Sequence, residues 1–302
     1  GDGTDTVSFS DLSDSVDVDL SSGQASGTTA GKDELTSIEN VIGSAGNDTI
    51  TGDGDANTLS GGAGADTISG GGGNDQLVGG AGSDTVTFAD STDAVVVNLS
   101  EGTAEGAGSG SDTLSGFENI TGGAGGDILV GDSSNNRLDG GAGDDTFTAY
   151  AGNDEIIGGA GVDTASFEDA TSTVTVDLGA GTVTGSDTGS DTIDGVENIR
   201  SGAGDDDITG DVADNRIIAG DGNDIVEGGA GDDFLDGGTG VDTISFENDT
   251  GGVTVDLRTG SAEGTGTGTD TFEDFESVRG GAGDDNITGN ASDNNLIGNA
   301  GA

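Results

Sequence analysis

The chain has 302 residues, including 64 glycines, and its 59 Asp and Glu residues face only six Lys and Arg, so that its net charge is −53. Cysteine and histidine are absent, which excludes a disulfide framework, a zinc site, and thiol or imidazole catalysis. No run approaches the ~20 apolar residues that span a membrane, and we predict neither membrane insertion nor nucleic-acid binding.

The dominant pattern is a repeat of 79 residues without insertion or deletion. Asp5, Asp84, Asp163 and Asp242 each open the same short motif, which ends at a phenylalanine. A fixed period of this kind predicts a stacked solenoid rather than a globular domain. We predict four units in one continuous solenoid, at residues 1–79, 80–158, 159–237 and 238–302, with the last unit truncated. The chain ends predict that this is a segment of a longer protein.

Each unit contains a 34-residue insert, which comes first in chain order. In the first insert the run from Val16 to Leu20 alternates apolar and polar residues, which predicts a strand with one buried face. A Gly-, Thr- and Ser-rich loop follows, and we expect the remainder to form wider solenoid turns. Recurring acidic residues in the inserts are interpreted as turn or capping residues, with additional ligation as the alternative. They are Asp33, Asp112, Asp191 and Asp270, followed by Glu39, Glu118, Glu197 and Glu276. The recurring phenylalanines are expected to fill the core; they are Phe9, Phe88, Phe167 and Phe246.

The rest of each unit consists of five gapless nonapeptides of the form Gly-Gly-x-Gly-x-Asp-x-apolar-x. Residues 61–69 are a good copy, with Asp66 at position six and Ile68 at position eight. The glycines allow tight turns and close approach of carbonyl groups to an ion, and aspartate supplies the hard anionic oxygen that calcium prefers. One apolar residue in nine makes a thin core, so a metal must share the stabilisation.

The second nonapeptide of each block carries asparagine at position six. We interpret these residues as structural, with side chains that hydrogen-bond to the backbone of the next turn rather than complete a calcium site. They are Asn57, Asn136, Asn215 and Asn294.

The nonapeptides resemble the calcium-binding repeats of the repeats-in-toxin (RTX) family, which Gram-negative bacteria secrete. The resemblance implies an all-β, calcium-stapled parallel β-roll or β-helix solenoid with two nonapeptides per right-handed turn. It places calcium between repeats n and n+2, bound by the position-six aspartates and by backbone carbonyls. It therefore pairs Asp48 with Asp66, Asp66 with Asp84, and Asp75 with the neighbour that carries Asn57. The full set of implied metal ligands is Asp5, Asp48, Asp66, Asp75, Asp84, Asp127, Asp145, Asp154, Asp163, Asp206, Asp224, Asp233, Asp242 and Asp285.

These features predict a chain that self-repulsion holds open in a calcium-poor cytosol and that folds on extracellular calcium. The uniform period favours a non-enzymatic structural segment of a secreted or cell-surface protein: an adhesin stalk, a fibre or a surface-layer component. The alternative is a calcium-dependent secretion and folding segment of a larger RTX toxin or secreted hydrolase. Besides several calcium ions, the partners considered are further copies joined end to end and a surface polysaccharide. Binding of ice or a crystalline polysaccharide by Thr-rich faces ranks last.

Overall fold

Short β-strands recur along the whole chain, and a computed structural model describes residues 3–301 of it. Residues 1, 2 and 302, at the outer ends of the first and fourth predicted units, lie outside the described residues. No helix occurs between residues 3 and 301. The chain divides into two compact units, one comprising Gly1–Phe147 and Ile157–Gly161 and the other Thr148–Ile156 and Val162–Ala302.

Sixteen strands lie wholly in the first unit. They are β1 (Thr6–Ser8), β2 (Val16–Asp19), β3 (Gln24–Gly27), β4 (Gly31–Glu34), β5 (Asn40–Ile42), β6 (Thr49–Thr51), β7 (Thr58–Ala63), β8 (Thr67–Ser69), β9 (Gln76–Ala81), β10 (Thr85–Thr87), β11 (Val95–Asn98), β12 (Thr103–Gly106), β13 (Gly110–Ser115), β14 (Asn119–Thr121), β15 (Ile128–Val130) and β16 (Arg137–Ala142). The residues of two strands are divided between the two ranges; these are β17 (Thr146–Thr148) and β18 (Glu155–Ala160).

The second unit repeats this order of elements. Its strands are β19 (Thr164–Ser166), β20 (Val174–Asp177), β21 (Thr182–Gly185), β22 (Gly189–Asp194), β23 (Asn198–Arg200), β24 (Asp207–Thr209), β25 (Arg216–Ile218), β26 (Asp221–Gly222), β27 (Ile225–Glu227), β28 (Phe234–Asp236), β29 (Thr239–Gly240), β30 (Thr243–Ser245), β31 (Val253–Asp256), β32 (Ser261–Gly264), β33 (Gly268–Glu273), β34 (Ser277–Arg279), β35 (Asn286–Thr288) and β36 (Asn295–Ile297).

The nonapeptide strands stack in parallel at a spacing of 18 residues. Ile50 lies opposite Ile68 in one sheet, and Leu59 lies opposite Leu77 in the other. These position-eight side chains are fully buried, because alternate residues of a strand point to opposite faces and only this one points inward. Two nonapeptides therefore make one turn, and the predicted all-β parallel β-roll solenoid is confirmed.

Each insert is a three-stranded antiparallel meander whose outer strands join the roll. In the second insert β11 pairs with β12 and β12 with β13, both antiparallel. The first strand of the meander then pairs in parallel with β15, and the last with β9. The expectation of wider solenoid turns is therefore wrong for the middle of the insert, where a short Gly-containing loop reverses the chain. The predicted alternation is confirmed, since Val95 and Val97 are buried whereas Val96 is 45% exposed.

Within each unit the strands form two sheets that run alongside each other. In the first unit the order is β1-β5-β7-β9-β13-β12-β11-β15 in one sheet and β4-β3-β2-β6-β8-β10-β14-β16 in the other. The four recurring phenylalanines are buried, as expected for core residues. Residues 3–301 contain no helix with the length and apolar character needed to cross a membrane.

Candidate metal centres

The position-six side chains form an internal ladder along the roll. The Oδ1 atom of Asp66 accepts a hydrogen bond of 2.8 Å from the Asp48 N–H group, and Asp84 accepts one of 2.8 Å from Asp66. Asp75 accepts the corresponding bond, also 2.8 Å, from Asn57. The structure thus places each of the three predicted pairs side by side, while their role as calcium ligands stays a prediction.

Burial separates the predicted ligands into two groups. Asp5 and Asp285 are half-buried. The other twelve are at most 3% exposed: Asp48, Asp66, Asp75, Asp84, Asp127, Asp145, Asp154, Asp163, Asp206, Asp224, Asp233 and Asp242. Carboxylates are almost never buried to this degree unless a partner compensates their charge.

The first two nonapeptides of the first block close their own loops. The Ser44 N–H donates to Asp48 Oδ2 at 2.5 Å, and the Asp53 N–H donates to Asn57 Oδ1 at 2.9 Å. The amide of Asn57 also donates to the Glu39 carbonyl at 3.0 Å, which lies on the preceding turn. The structural role expected for the asparagines is therefore correct, although their partner is the turn before and not the turn after.

The third, fourth and fifth nonapeptides of the first block have a different loop. Their position-two residues are Gly62, Gly71 and Gly80, with φ of 113°, 82° and 124°. Such positive φ values suit glycine and are unfavourable for other residues. In these three loops the second carboxylate oxygen, Oδ2 of Asp66, Asp75 or Asp84, is buried without a hydrogen-bond partner. The residue at position two thus distinguishes the closed loops from those that leave an oxygen open.

Backbone carbonyl groups lie close to these open oxygens. A Cβ atom at Gly61 would collide with Asp66 Oδ2, and one at Gly62 would collide with the Ser44 carbonyl oxygen. Buried carboxylate oxygens beside carbonyls form the all-oxygen set that Ca²⁺ takes, six to eight ligands at roughly 2.3–2.6 Å. Among residues 3–301, no three acidic side chains come together as a metal-binding group. A calcium ion here would be held by one or two carboxylates, such as those of Asp66 and Asp84, and by loop carbonyls.

The electrostatics of the ladder disfavour charged carboxylates in the absence of a cation. Burial raises the pKa of Asp66 to about 6, and the carboxylates of Asp48 and Asp84 raise it further. Burial likewise raises the pKa of Asp75 to about 6 and that of Asp224 to about 7. A divalent cation would remove this penalty because it stabilises the charged form directly.

The ladder also includes residues that the sequence reading assigned to turns. The Oε2 atom of Glu118 accepts the Asp84 N–H at 2.8 Å, and Glu276 accepts that of Asp242 at 3.0 Å. Asp112 accepts the N–H of Asp75 at 2.9 Å. The signal that could have identified these aspartates is their spacing, since each lies two residues after a glycine and two before an apolar residue. The same relations hold for Glu39, Glu197, Asp191 and Asp270.

The fold and the ladder define a β-roll with buried sites suited to calcium. The family model for the RTX calcium-binding nonapeptide repeat (4 copies) matches residues 36–68, 51–86, 114–147, 130–165, 209–244 and 270–302, more than half of the chain. The chain belongs to this family, whose nonapeptides bind several calcium ions and occur in secreted proteins.

Two further comparisons add little to this assignment. None of the curated proteins matches the chain significantly. Among solved structures, the chain is similar to the extracellular lipase LipA from Serratia marcescens, with 18% sequence identity and a TM-score of 0.22. The match covers 77% of this chain and 37% of the lipase chain.

Proposed function

We propose that this chain is a non-enzymatic, calcium-folded structural segment of a secreted bacterial surface protein, such as an adhesin stalk, a fibre or a surface layer. The observation that carries the proposal is the uniformity of its repeats. Ladder, meander and apolar column return at the same 79-residue offsets, and the recurring carboxylates have structural partners. Uniform units suit a spacer, because each added unit extends the same surface and core.

Calcium would act as the switch for folding. At −53 net charge the metal-free chain is self-repelling, and its buried carboxylates have raised pKa values. Extracellular modules typically bind calcium with Kd values of about 10⁻⁴–10⁻³ M. The chain would therefore remain unfolded in the cytosol, which suits export as an open polypeptide, and would fold outside the cell.

Small-angle X-ray scattering with in-line chromatography tests this proposal, first in chelator and then in millimolar calcium. An unfolded chain of this length has a radius of gyration of about 60 Å, and a compact globule has one of about 20 Å. We expect a value near the first in chelator and an intermediate value in calcium. No change with calcium would contradict the switch, and a value near 20 Å in calcium would contradict the spacer. Magnesium is the control, because its strict octahedral geometry suits these loops poorly.

The coding sequence on either side separates the spacer from a secretion segment of a toxin or hydrolase. Many more 79-residue units would support the spacer, and an adjoining domain with catalytic His or Ser residues would support the second role. End-to-end assembly would appear in the scattering experiment as a size that grows with protein concentration. Binding of a surface polysaccharide would be measured separately by calorimetry.

A further inference from the structure

Each insert ends in a segment that keeps the second half of the nonapeptide. In the second insert, Gly110, Asp112 and Leu114 have the spacing of positions four, six and eight. Asp112 lies outside the residues that the family model matches, and so does Asp191 in the third insert. The first half of the nonapeptide, with its paired glycines, is missing from these segments.

The shortened loop stacks directly on the fourth nonapeptide of the preceding block. Gly110 has φ of 90°, and a Cβ atom there would collide with the Gly73 carbonyl oxygen. The Ser111 N–H donates to Asn74 Oδ1 at 3.0 Å, and the Asp75 N–H donates to Asp112 Oδ1 at 2.9 Å. Complete nonapeptides make the same contacts with each other across a turn.

An oxygen without a partner marks this stack as a site. Asp112 is 3% exposed, and its Oδ2 atom is buried with no hydrogen-bond partner. The Oδ2 atom of Asp75, one step away in the same ladder, is in the same state. Burial raises the pKa of Asp112 to about 6, and the nearby Asp75 carboxylate raises it further. Two adjacent buried oxygens that lack donors call for a cation.

The arrangement recurs in the second unit. Asp191 accepts the N–H of Asp154 at 2.9 Å, and Asp270 accepts that of Asp233 at 3.2 Å. Both carboxylates are at most 3% exposed, and both have an Oδ2 atom without a partner. The recurrence makes an accident of one loop a poor explanation.

We propose that each of these shortened loops binds an additional Ca²⁺ ion through Asp112, Asp191 or Asp270, together with carbonyls of the nonapeptide on which it stacks. The ion would continue the calcium column of the roll across the insert and would staple the meander to the roll. The inference rests on calcium binding by the nonapeptides themselves.

The first insert supplies a matched control. Gly31, Asp33 and Leu35 have the same spacing, but Asp33 is exposed and a Cβ atom at Gly31 would meet nothing within 4 Å. Because no nonapeptide stacks on this segment in the described residues, Asp33 is not expected to hold an ion in this chain.

Calcium counting by native mass spectrometry tests the proposal on the 302-residue chain. We expect Asp112→Asn and Asp191→Asn each to lose one ion relative to the parent, and Asp33→Asn to lose none. Asparagine retains the oxygen that accepts the ladder hydrogen bond, so the variants should fold. Asp66→Asn serves as a positive control, because it removes a ligand within the nonapeptides.

The outcomes distinguish this inference from calcium binding as such. An unchanged count in Asp112→Asn, with a loss in Asp66→Asn, would overturn the additional sites alone. A parent chain that binds no calcium would overturn both. A second measurement avoids the variants: anomalous scattering from crystals of the parent grown in calcium should show a peak about 2.3–2.6 Å from Asp112 Oδ2. Absence of that peak would also overturn the proposal.

Discussion

Asp66→Asn should change the stability of the fold in opposite directions with and without calcium. Asparagine still offers an oxygen to the Asp48 N–H, whose bond to Asp66 Oδ1 is 2.8 Å long. What the substitution removes is the negative charge and the buried Oδ2 atom that has no hydrogen-bond partner. Without calcium that oxygen is a penalty, whereas with calcium it is a ligand.

The magnitudes follow from the position of this carboxylate. Its pKa rises from an ordinary 3.8 to about 6, mainly through burial. A rise of that size corresponds to at most about 3 kcal/mol at neutral pH, and solvent screening near the loop reduces it to about 1–2 kcal/mol. Asp66→Asn should stabilise the calcium-free fold by that amount. In calcium at 100 times Kd, loss of one site should cost about 2.7 kcal/mol.

Far-UV circular dichroism is the suitable probe, because the chain has no tryptophan. An osmolyte titration in chelator measures the calcium-free fold, since excluded osmolytes favour burial, and a urea titration in about 10 mM calcium measures the loaded one. Asp11→Asn is the control, because it removes the same charge from an exposed position. If Asp66→Asn shifted both midpoints in the same direction, or behaved like Asp11→Asn, the assignment of Oδ2 as a cation ligand would be wrong.

Three further predictions concern protons, loops and core. In chelator, acidification from pH 7 to pH 4 should increase the strand signal in circular dichroism. The pKa values of Asp66 and Asp224 are raised to about 6 and about 7, so protonation stabilises the fold below about pH 4 and this contribution is lost as pH rises through 6 to 7; a flat signal would contradict it. Gly64→Ala should raise the calcium concentration needed for folding, because φ at Gly64 is 123° and the new Cβ would strike a carbonyl of the adjacent turn. Gly54→Ala, with open space around it, should have no such effect. Leu59→Ala should destabilise the calcium-loaded fold by about 2–5 kcal/mol in urea titrations, because Leu59 is fully buried in the apolar column; a change below 1 kcal/mol would show that the column contributes little.

Much of this architecture is legible in the sequence because the repeat is local. Ile68 and Asp66 recur at fixed places within nine residues, so inward apolar and inward acidic positions follow from strand alternation alone. The inserts are less legible. The strand at Val16 was predicted correctly, but the meander was not, since Gly-, Thr- and Ser-rich segments do not indicate whether the chain reverses or continues around the roll.

The sequence by itself determined the repeat, the parallel β-roll and the identity of the position-six aspartates, because each depends on residue spacing within one nonapeptide or one turn. Only the tertiary structure decided which of their oxygens are already bonded. Asp48 and Asp66 have the same place in their repeats, yet the Ser44 N–H bonds Oδ2 of the first and no group bonds that of the second. Asp33 and Asp112 likewise share a motif, and only Asp112 is covered by a neighbouring loop. The physical reason is that burial and unsatisfied hydrogen bonding depend on which turn lies above and below a residue, and spacing within one segment does not specify that.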